Sequence, residues 1–584
     1  MRRTCFVLAV AVAALSAQTP QDDKRLVFST YLGGERTDDA VAVATDGAGN
    51  IFVAGKTESI DFPGKPLGGF NMNFAVPKGY LTKYSPDGKQ ILWSHVVGGS
   101  SNTRANAVVV DKNGNVYVAG TTGATDLQVM NPVQAKKTGL NIPFLMKFDN
   151  DGKLLFSTYL GGDRNDEGLA LAVDSRGNMY LAGRASSSEF PVKNAMQPKM
   201  NGSQDAFVAK FTPDYQLAWA TYLGGTGGSD NISAIAVTPD DYLVVTGETG
   251  SPDMQTPGVW GKEFVHYSSY VAKLAPEGNA IVWWNYIADR SGYTVSKTIA
   301  VDGSGRIWAG GQTTAKRFRM TENAIQPAFA GGRRDGFLLC LTADGTAAEY
   351  FTYLGGSTSG DLDPDETVES VAIDARGHVI VTGETITTDF PVHRNVQPYR
   401  GGGAESYLLK LDPGSKQIVH STFWGGAKRE VGTAVAVGPG ENITVVGETY
   451  SEDLPLQNAL RKKLGATTDA FVMRFCEPWL GSWPSNSLSF GYTIGQNAPE
   501  PQSLEIYTGC STPFDMTEAV SDQPWLRLRY EGRTAPFKLT FEVVPSEMAA
   551  GDYTATVKVK VPAAFYQELT IPVRLVVAEP PPVE

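Results

Sequence analysis

The sequence predicts an all-β fold in which one four-stranded unit recurs seven times, followed by a second and smaller β domain. Three observations carry that expectation. "FSTYLGG" at 28–34 returns letter for letter at 156–162, and shorter versions recur along the chain. Between those copies runs a second recurring motif, "VAGKT" at 53–57 and "VTGET" at 245–249 and 381–385. With 63 glycines, 34 prolines and no long amphipathic helical stretch, the composition suits short strands joined by tight turns.

Residues 1–17 open with Arg2-Arg3, continue through an apolar run over 5–15 and end on Ser16 and Ala17. That three-part order is the pattern of a signal peptide, and the run is too short to span a bilayer. The expectation is a secreted chain, extracellular, periplasmic or at the cell surface, with no membrane span. Removing the leader takes away Cys5 and leaves Cys340, Cys476 and Cys510, an odd number in an oxidising compartment. Cys476 and Cys510 both lie in the C-terminal segment and are expected to pair as a disulfide, leaving Cys340 as a free thiol. A formal net charge of −12 argues against a nucleic-acid partner, because neutralising phosphates needs clustered Lys and Arg.

The repeat begins after the leader. The Gly-Gly corner stands at Leu32-Gly33-Gly34, Val97-Gly98-Gly99, Leu160-Gly161-Gly162, Leu223-Gly224-Gly225, Leu354-Gly355-Gly356 and Trp424-Gly425-Gly426, with "YIADR" at 286–290 filling the gap. A period of roughly 65 residues signals a toroidal or solenoid array. Within one unit, "ALAVD" (170–174), "MYLAG" (179–183), "AFVAKF" (206–211) and "LAWATYL" (217–223) read as strands. "DSRGN" (174–178) and "DNDGK" (149–153) read as hairpins whose Gly takes positive φ. Four antiparallel strands repeated seven times make a seven-bladed β-propeller over residues 25–475. Its last unit stops at the third strand, "AFVMRF" (470–475), whereas a fourth-type strand, "LVFSTYL" (26–32), precedes every complete unit. The N-terminal strand is therefore expected to complete the last blade and remove two exposed sheet edges.

With "TYLGG" (30–34), "ALAVD" (170–174), "DFP" (61–63) and "DAFVAKF" (205–211) in view, the chain resembles the seven-bladed β-propeller repeat family of bacterial exported proteins. The resemblance implies an architecture and brings no catalytic residues with it.

If the first strand runs down, the long connections between strands two and three, such as 57–79, share the upper face with the four-to-one loops. Loops that long are usually functional, so a site is expected on this face. They carry a recurring acid-aromatic-proline element: Asp61-Phe62-Pro63, Glu189-Phe190-Pro191, Asp389-Phe390-Pro391 and Asp453-Leu454-Pro455. It reads as a repeated ligand contact or as a packing plug with a capping acid; repetition favours the plug. Asp205, Asp335 and Asp469, just before the third strands, read as structural for the same reason. Aligning the units places Asp38, Thr103, Asp166, Asp230, Thr294, Glu366 and Glu430 at one position before the innermost strands. The five acids are expected to ring the channel entrance and bind a metal ion or cationic ligand, with Arg36, Arg164 and Arg429 nearby. The alternative is that each acid caps its own loop.

Departures from the repeat carry more information. The fifth unit replaces the Gly pair with Ala288-Asp289-Arg290, making Asp289 and Arg290 candidate ligand contacts. The sixth inserts "GDLDPDE" (360–366), in which Asp361, Asp363 and Asp365 alternate as calcium ligands would. Glu366 stands where the calcium loop needs Gly and no Glu follows at the twelfth position, so a solvated acidic loop is the expectation. No other cofactor is suggested. No His pair has metal-ligand spacing, no Gly-x-Ser-x-Gly elbow occurs and no Cys pair is spaced for zinc. Propeller enzymes assemble residues from many blades, so a polysaccharide-active lyase or hydrolase stays open as the second reading.

Residues 476–577 hold about seven alternating runs, including "LSFGY" (488–492), "WLRLRY" (525–530) and "YTATVKVKV" (553–561), which suggest an immunoglobulin-like β-sandwich. Their order resembles BACON-type domains, and that resemblance implies a link to carbohydrate. Trp525 reads as a core aromatic, and 578–584 as an extended Pro-rich tail. The leading functional expectation is a monomeric, non-enzymatic binding scaffold for a carbohydrate or an extracellular protein.

Overall fold

The computed structural model describes residues 25–72, 76–254, 260–357, 365–394, 396–397, 401–414, 417–465, 467–476, 480–483, 485, 487–508, 515–545, 548–561 and 568–580. Within these it is all-β apart from one short 3-10 turn, Pro439–Glu441. The third repeat shows the unit: Asp166–Val173, Met179–Ala185, Asp205–Phe211 and Leu217–Leu223 pair in sequence order as an antiparallel sheet. In Met179–Ala185 every side chain except Arg184 is buried, so both faces of the sheet are covered and the strand reads as a continuous apolar run. Hairpin glycines take the left-handed backbone the turn demands, φ +83° at Gly177 and +84° at Gly152.

Seven sheets of this kind occur among the described residues, one with a short fifth strand. Their innermost strands are Asp38–Thr45, Thr103–Val110, Asp166–Val173, Ala234–Val237, Thr294–Val301, Glu366–Ile373 and Glu430–Val437. Each contacts the next, and the last contacts the first, so the sheets stand around a common axis as a β-propeller. Apolar clusters fill the space between neighbouring sheets; one joins Tyr180 and Val208 to Val245 and Trp284.

The seam lies where the termini of the repeat region meet. Leu26–Leu32 pairs antiparallel with Asp469–Phe475, Leu26 opposite Phe475 and Tyr31 opposite Phe471. Phe28 is fully buried there and stacks on Tyr84 of the first repeat at 6.5 Å. The first strand thus belongs to the sheet of the last repeat while its side chains pack on the sheet that follows.

The long two-to-three connections do something the sequence reading missed. They fold back down the outer edge of their own sheets. Met130 and Ser157 exchange backbone hydrogen bonds of 3.0 and 2.9 Å, and Lys193 and Ala220 exchange bonds of 2.9 and 2.8 Å. Ser29 N likewise donates to Gln457 O at 2.8 Å across the seam. These loops occupy edges that would otherwise offer unpaired strands to other chains. The expectation that their length serves a ligand is corrected to that extent.

The described residues between 480 and 578 include two further four-stranded sheets. One holds Leu480–Trp483, Gln502–Thr508, Phe537–Val543 and Leu526–Glu531; the other Leu488–Thr493, Glu568–Ala578, Gly551–Lys560 and Glu518–Ser521. Leu504, Phe541, Val557, Val573 and Trp525 share one core between them. Cys340 is a buried free thiol, as expected, and burial pushes its pKa far up. Cys510 lies outside the described residues.

Phe28→Ala should cost about 3–5 kcal/mol through the cavity it leaves at the seam, read as a lower urea midpoint with an unchanged slope. Deleting the strand through Leu32 should expose the Asp469–Phe475 edge and give aggregates by size exclusion.

Candidate functional site

Five of the seven corners between sheets are built around a buried carboxylate. At the third repeat, Asp166 Oδ2 accepts Gly162 N and Ser187 Oγ, both at 2.8 Å, while Oδ1 accepts Ser186 N and Ser187 N at 3.0 and 3.1 Å. Ser187 Oγ also accepts Arg164 N at 2.8 Å. Asp38 takes Gly34 N and Ser59 Oγ at 2.7 and 2.8 Å; Asp230 takes Gly225 N and Ser251 Oγ, each at 3.0 Å; Glu430 takes Gly426 N at 2.8 Å and Thr449 Oγ1 at 2.7 Å. Glu366 takes Thr385 Oγ1 at 3.2 Å. Asp38, Asp166, Glu366 and Glu430 are 0% exposed and Asp230 is 1% exposed. Burial pushes the carboxyls of Asp38, Asp230 and Glu430 up, and that of Glu366 up to about 8. The expected open ring of acids is therefore corrected. These carboxylates sit beneath the surface and tie down the corner.

The acid-aromatic-proline element completes the corner. Asp61 Oδ1 accepts Glu35 N at 2.8 Å and Asp453 Oδ1 accepts Ala427 N at 2.9 Å. Phe62 packs 4.5 Å from the Tyr80 ring and Phe190 4.5 Å from Phe207. The tyrosine of the "TYLGG" motif pins the same loop: Tyr222 OH donates to Ser187 O at 2.6 Å and accepts Phe190 N at 3.1 Å. Packing, the reading that repetition favoured, accounts for the motif. A glutamine that the sequence reading passed over joins it, since Gln134 and Gln197 accept Gly161 N and Gly224 N through Oε1 at 2.9 and 3.0 Å.

The next residue along faces the other way, as alternation in a strand requires. Asp38 pairs with Thr57 against the preceding sheet, whereas Asp39 pairs with Lys56 and faces the following one. Asp39 lies 3.8 Å from Lys56 and 3.7 Å from Arg104 of the second repeat. Arg184 Nη2 meets Glu167 at 2.6 Å. Lys297 pairs with Glu369, and Arg429 holds Glu384 through two bonds of 2.7 and 3.0 Å and reaches Glu448 at 3.2 Å. Glu248 has its carboxyl pushed up by burial, opposed by Lys297 and Arg184; burial also raises Glu448, opposed chiefly by Arg429. The hydrogen-bonded contact with Glu384 is the first cause of the raised Arg429 pKa. Six acids and five bases thus gather at the heads of the innermost strands as a half-buried, mixed-charge mouth.

That mouth varies from sheet to sheet. The fourth position of the "VAGKT" motif holds Lys56, Thr121, Arg184, Glu248, Gln312, Glu384 and Glu448 in turn. The signal was legible one position before the residue that is Thr in every unit but the third, where it is Ala185, on the opposite face from the one favoured above.

Asp289 and Arg290 line a 590 Å³ cleft with Glu263 and Arg317. Asp289 accepts Ser291 N at 2.8 Å, and Arg290 is an exposed partner of Glu263 at 3.6 Å. Asp361 and Asp363 lie outside the described residues. Asp365 places both carboxylate oxygens on Arg334, at 2.6 Å each. No cluster of three metal-binding side chains occurs among the described residues, and no helix there is long and apolar enough to cross a membrane.

The beta-propeller repeat family model matches residues 27–63 and 92–128. The regulatory protein FlaEY of Caulobacter vibrioides is 26% identical over 376 residues, covering 59% of this chain and 36% of the relative. The chain thus spans about a third of that relative's length. Among solved structures, the Neurospora crassa Pan2 WD40 domain shares 10% identity at a TM-score of 0.38, covering 78% of this chain and 97% of that one. The quinohemoprotein alcohol dehydrogenase of Comamonas testosteroni shares 11% at 0.37, covering 78% and 77%. Likenesses at that level carry no argument about what this chain does.

Corner and mouth should respond differently to mutation. Ser187→Ala removes a fully buried donor and acceptor and should cost about 1–3 kcal/mol, whereas half-exposed Glu167→Gln should stay within about 1 kcal/mol. Urea unfolding of the two variants side by side checks this.

Proposed function

We propose that this chain is an exported interaction scaffold: a seven-bladed β-propeller that binds its partner at the mixed-charge mouth, carrying an immunoglobulin-like domain as a spacer or accessory module. One observation carries the reading. The corner position alternates only among Asp, Glu and Thr, while the mouth position changes from Lys56 to Thr121, Arg184, Glu248, Gln312, Glu384 and Glu448 and reverses its charge along the ring. A residue that only stabilises a repeat serves as well in every copy. A residue that contacts an asymmetric partner does not.

The charges also shape the partner. Acids and bases alternate in ion pairs, so the mouth offers both signs within a few ångströms and little net field. This suits a polar partner with donors and acceptors of its own, a carbohydrate or an extracellular protein surface, and disfavours a polyanion. The second reading, a polysaccharide-active enzyme, draws on the Asp289–Arg290 cleft, where the fifth unit leaves the repeat. The leader at 1–17 supports export, and in an oxidising compartment a Cys476–Cys510 disulfide would contribute ~3–4 kcal/mol by constraining the unfolded chain.

Binding of defined neutral, uronic and aminated glycans to the mature protein, with released reducing ends assayed in parallel, separates the two readings. Under the scaffold reading, binding occurs without product, and Arg429→Ala combined with Glu448→Gln weakens it at least tenfold at an unchanged melting temperature. Released oligosaccharide that disappears in Asp289→Asn would move the function to the cleft. For the disulfide, peptide mapping should recover a 476–510 cross-link, and Cys340 joined to either residue would overturn the assignment.

A further inference from the structure

The closing seam brings together two carboxylates from different sheets. Asp38 heads the first innermost strand, and Asp469 opens Asp469–Phe475 in the sheet of the last repeat. Both are 0% exposed. Asp38 Oδ2 and Asp469 Oδ1 each lie 2.6 Å from the point that a Cβ on Gly33 would occupy, so both carboxyls crowd the same side of that glycine. One oxygen of each acid is served: Asp38 Oδ2 by Gly34 N and Ser59 Oγ, Asp469 Oδ2 by Gly465 N at 2.8 Å and Arg461 Nε at 3.5 Å. Of the remaining oxygens, Asp469 Oδ1 is buried and accepts no hydrogen bond, while Asp38 also draws on the Thr57 hydroxyl.

A buried acceptor without a donor is costly, and an unpaired buried charge more so. The third repeat provides the contrast. There Ile142 takes the place of the second acid beside Gly161, and both oxygens of Asp166 are fully served. At the seam, a proton on one carboxyl removes a charge and supplies the missing donor. A hard cation is a poorer fit, since it wants six to eight oxygens and this corner is lined by the N–H groups of Gly34, Gly465 and Arg461.

We propose that Asp38 and Asp469 share one proton in weakly acidic solution, making the closing seam of the propeller a proton-held latch that loosens as the solution is brought to neutrality. The groups facing the pair are Arg461, Asp61, Tyr31 and Tyr80, one cation against an acid and two phenols. Burial is the main cause that pushes the Asp469 carboxyl up to about 7, with Asp38 also raised. Ionised near pH ~4 in the unfolded chain, the pair keeps a proton to about pH 7 when folded. Because the folded pKa is the higher one, the latch is complete below the unfolded value and is lost as pH rises through the folded value. The opening constant of the seam should increase up to about tenfold per pH unit between ~4 and 7, then level off.

Hydrogen exchange on the full chain, corrected for intrinsic rates, reads that constant from the amides of Leu26–Leu32. Leu154–Tyr159, beside the Asp166 corner, serves as an internal control that needs no variant. The expected result is a pH-dependent opening at the seam and none at the control, abolished in Asp469→Asn, or in Asp38→Asn should the first fail to fold. A seam whose opening matches the control across pH 5–8, or a variant that keeps the wild-type slope, overturns the proposal. So does a chelator that opens the wild-type seam at pH 6, because a metal ion would then hold the pair.

Discussion

The buried carboxylate at the head of the innermost strand is the interaction on which the rest of the propeller depends. The chain must leave the outer strand of one sheet, cross to the axis and start the next, and that crossing exposes backbone N–H groups in a place closed to water. At the third repeat one side chain, Asp166, accepts four donors, three of them from the backbone. The paired glycines follow from this, because the carboxylates and Ser or Thr side chains occupy the space where a Cβ would stand. Where the acid is absent, Thr103 and Thr294 turn their hydroxyls to Thr122 and Thr313, at 2.8 and 3.1 Å, and the corner is held more weakly.

Edges are the second constraint. A ring of sheets leaves each outermost strand with an open side, and a ring assembled from one chain also leaves a gap where it begins and ends. The first problem is met by the two-to-three loops lying along the fourth strands, the second by Leu26–Leu32 joining the sheet of the last repeat. Both solutions use backbone hydrogen bonds, so they tolerate the varied sequences of these loops. Length in these connections is set by the distance from the axis to the rim.

The strands, hairpins and seam were legible in the sequence because each has a local signature. "MYLAG" and "AFVAKF" lie within the observed Met179–Ala185 and Asp205–Phe211, and the odd strand at 26–32 could only pair with 470–475. The corner acids were located correctly but given the wrong face. Asp38 and Asp39 are adjacent, and a one-residue difference sends one under the corner and the other to the mouth. Nothing local distinguishes them, since the deciding contacts are Ser59 and Gly34 for one and Arg104 from the next repeat for the other. The role of Gln134 and Gln197 was hidden for the same reason, because each caps a glycine 27 residues away in sequence.

In a repeat protein, uniformity and variation carry different information. Positions that do the same mechanical job in each copy draw on a narrow set of residues, as the corner acids, glycines and tyrosines do in most copies. The mouth positions face the same geometric setting yet hold Lys, Thr, Arg, Glu and Gln. Some of their ion pairs cross from sheet to sheet, Asp39 to Arg104 and Arg429 to Glu384, while others, such as Arg184 with Glu167, stay within one sheet. Half-exposed pairs of this kind add little to stability, and their arrangement is poorly explained by folding alone. What they do fix is the direction in which each long side chain points, and that ordering, done before any partner arrives, lowers the entropy that binding would otherwise have to overcome. The rigid corner beneath and the ordered mouth above are therefore two parts of one design, in which the invariant residues hold the heads of the strands still and the variable ones give those heads their specificity.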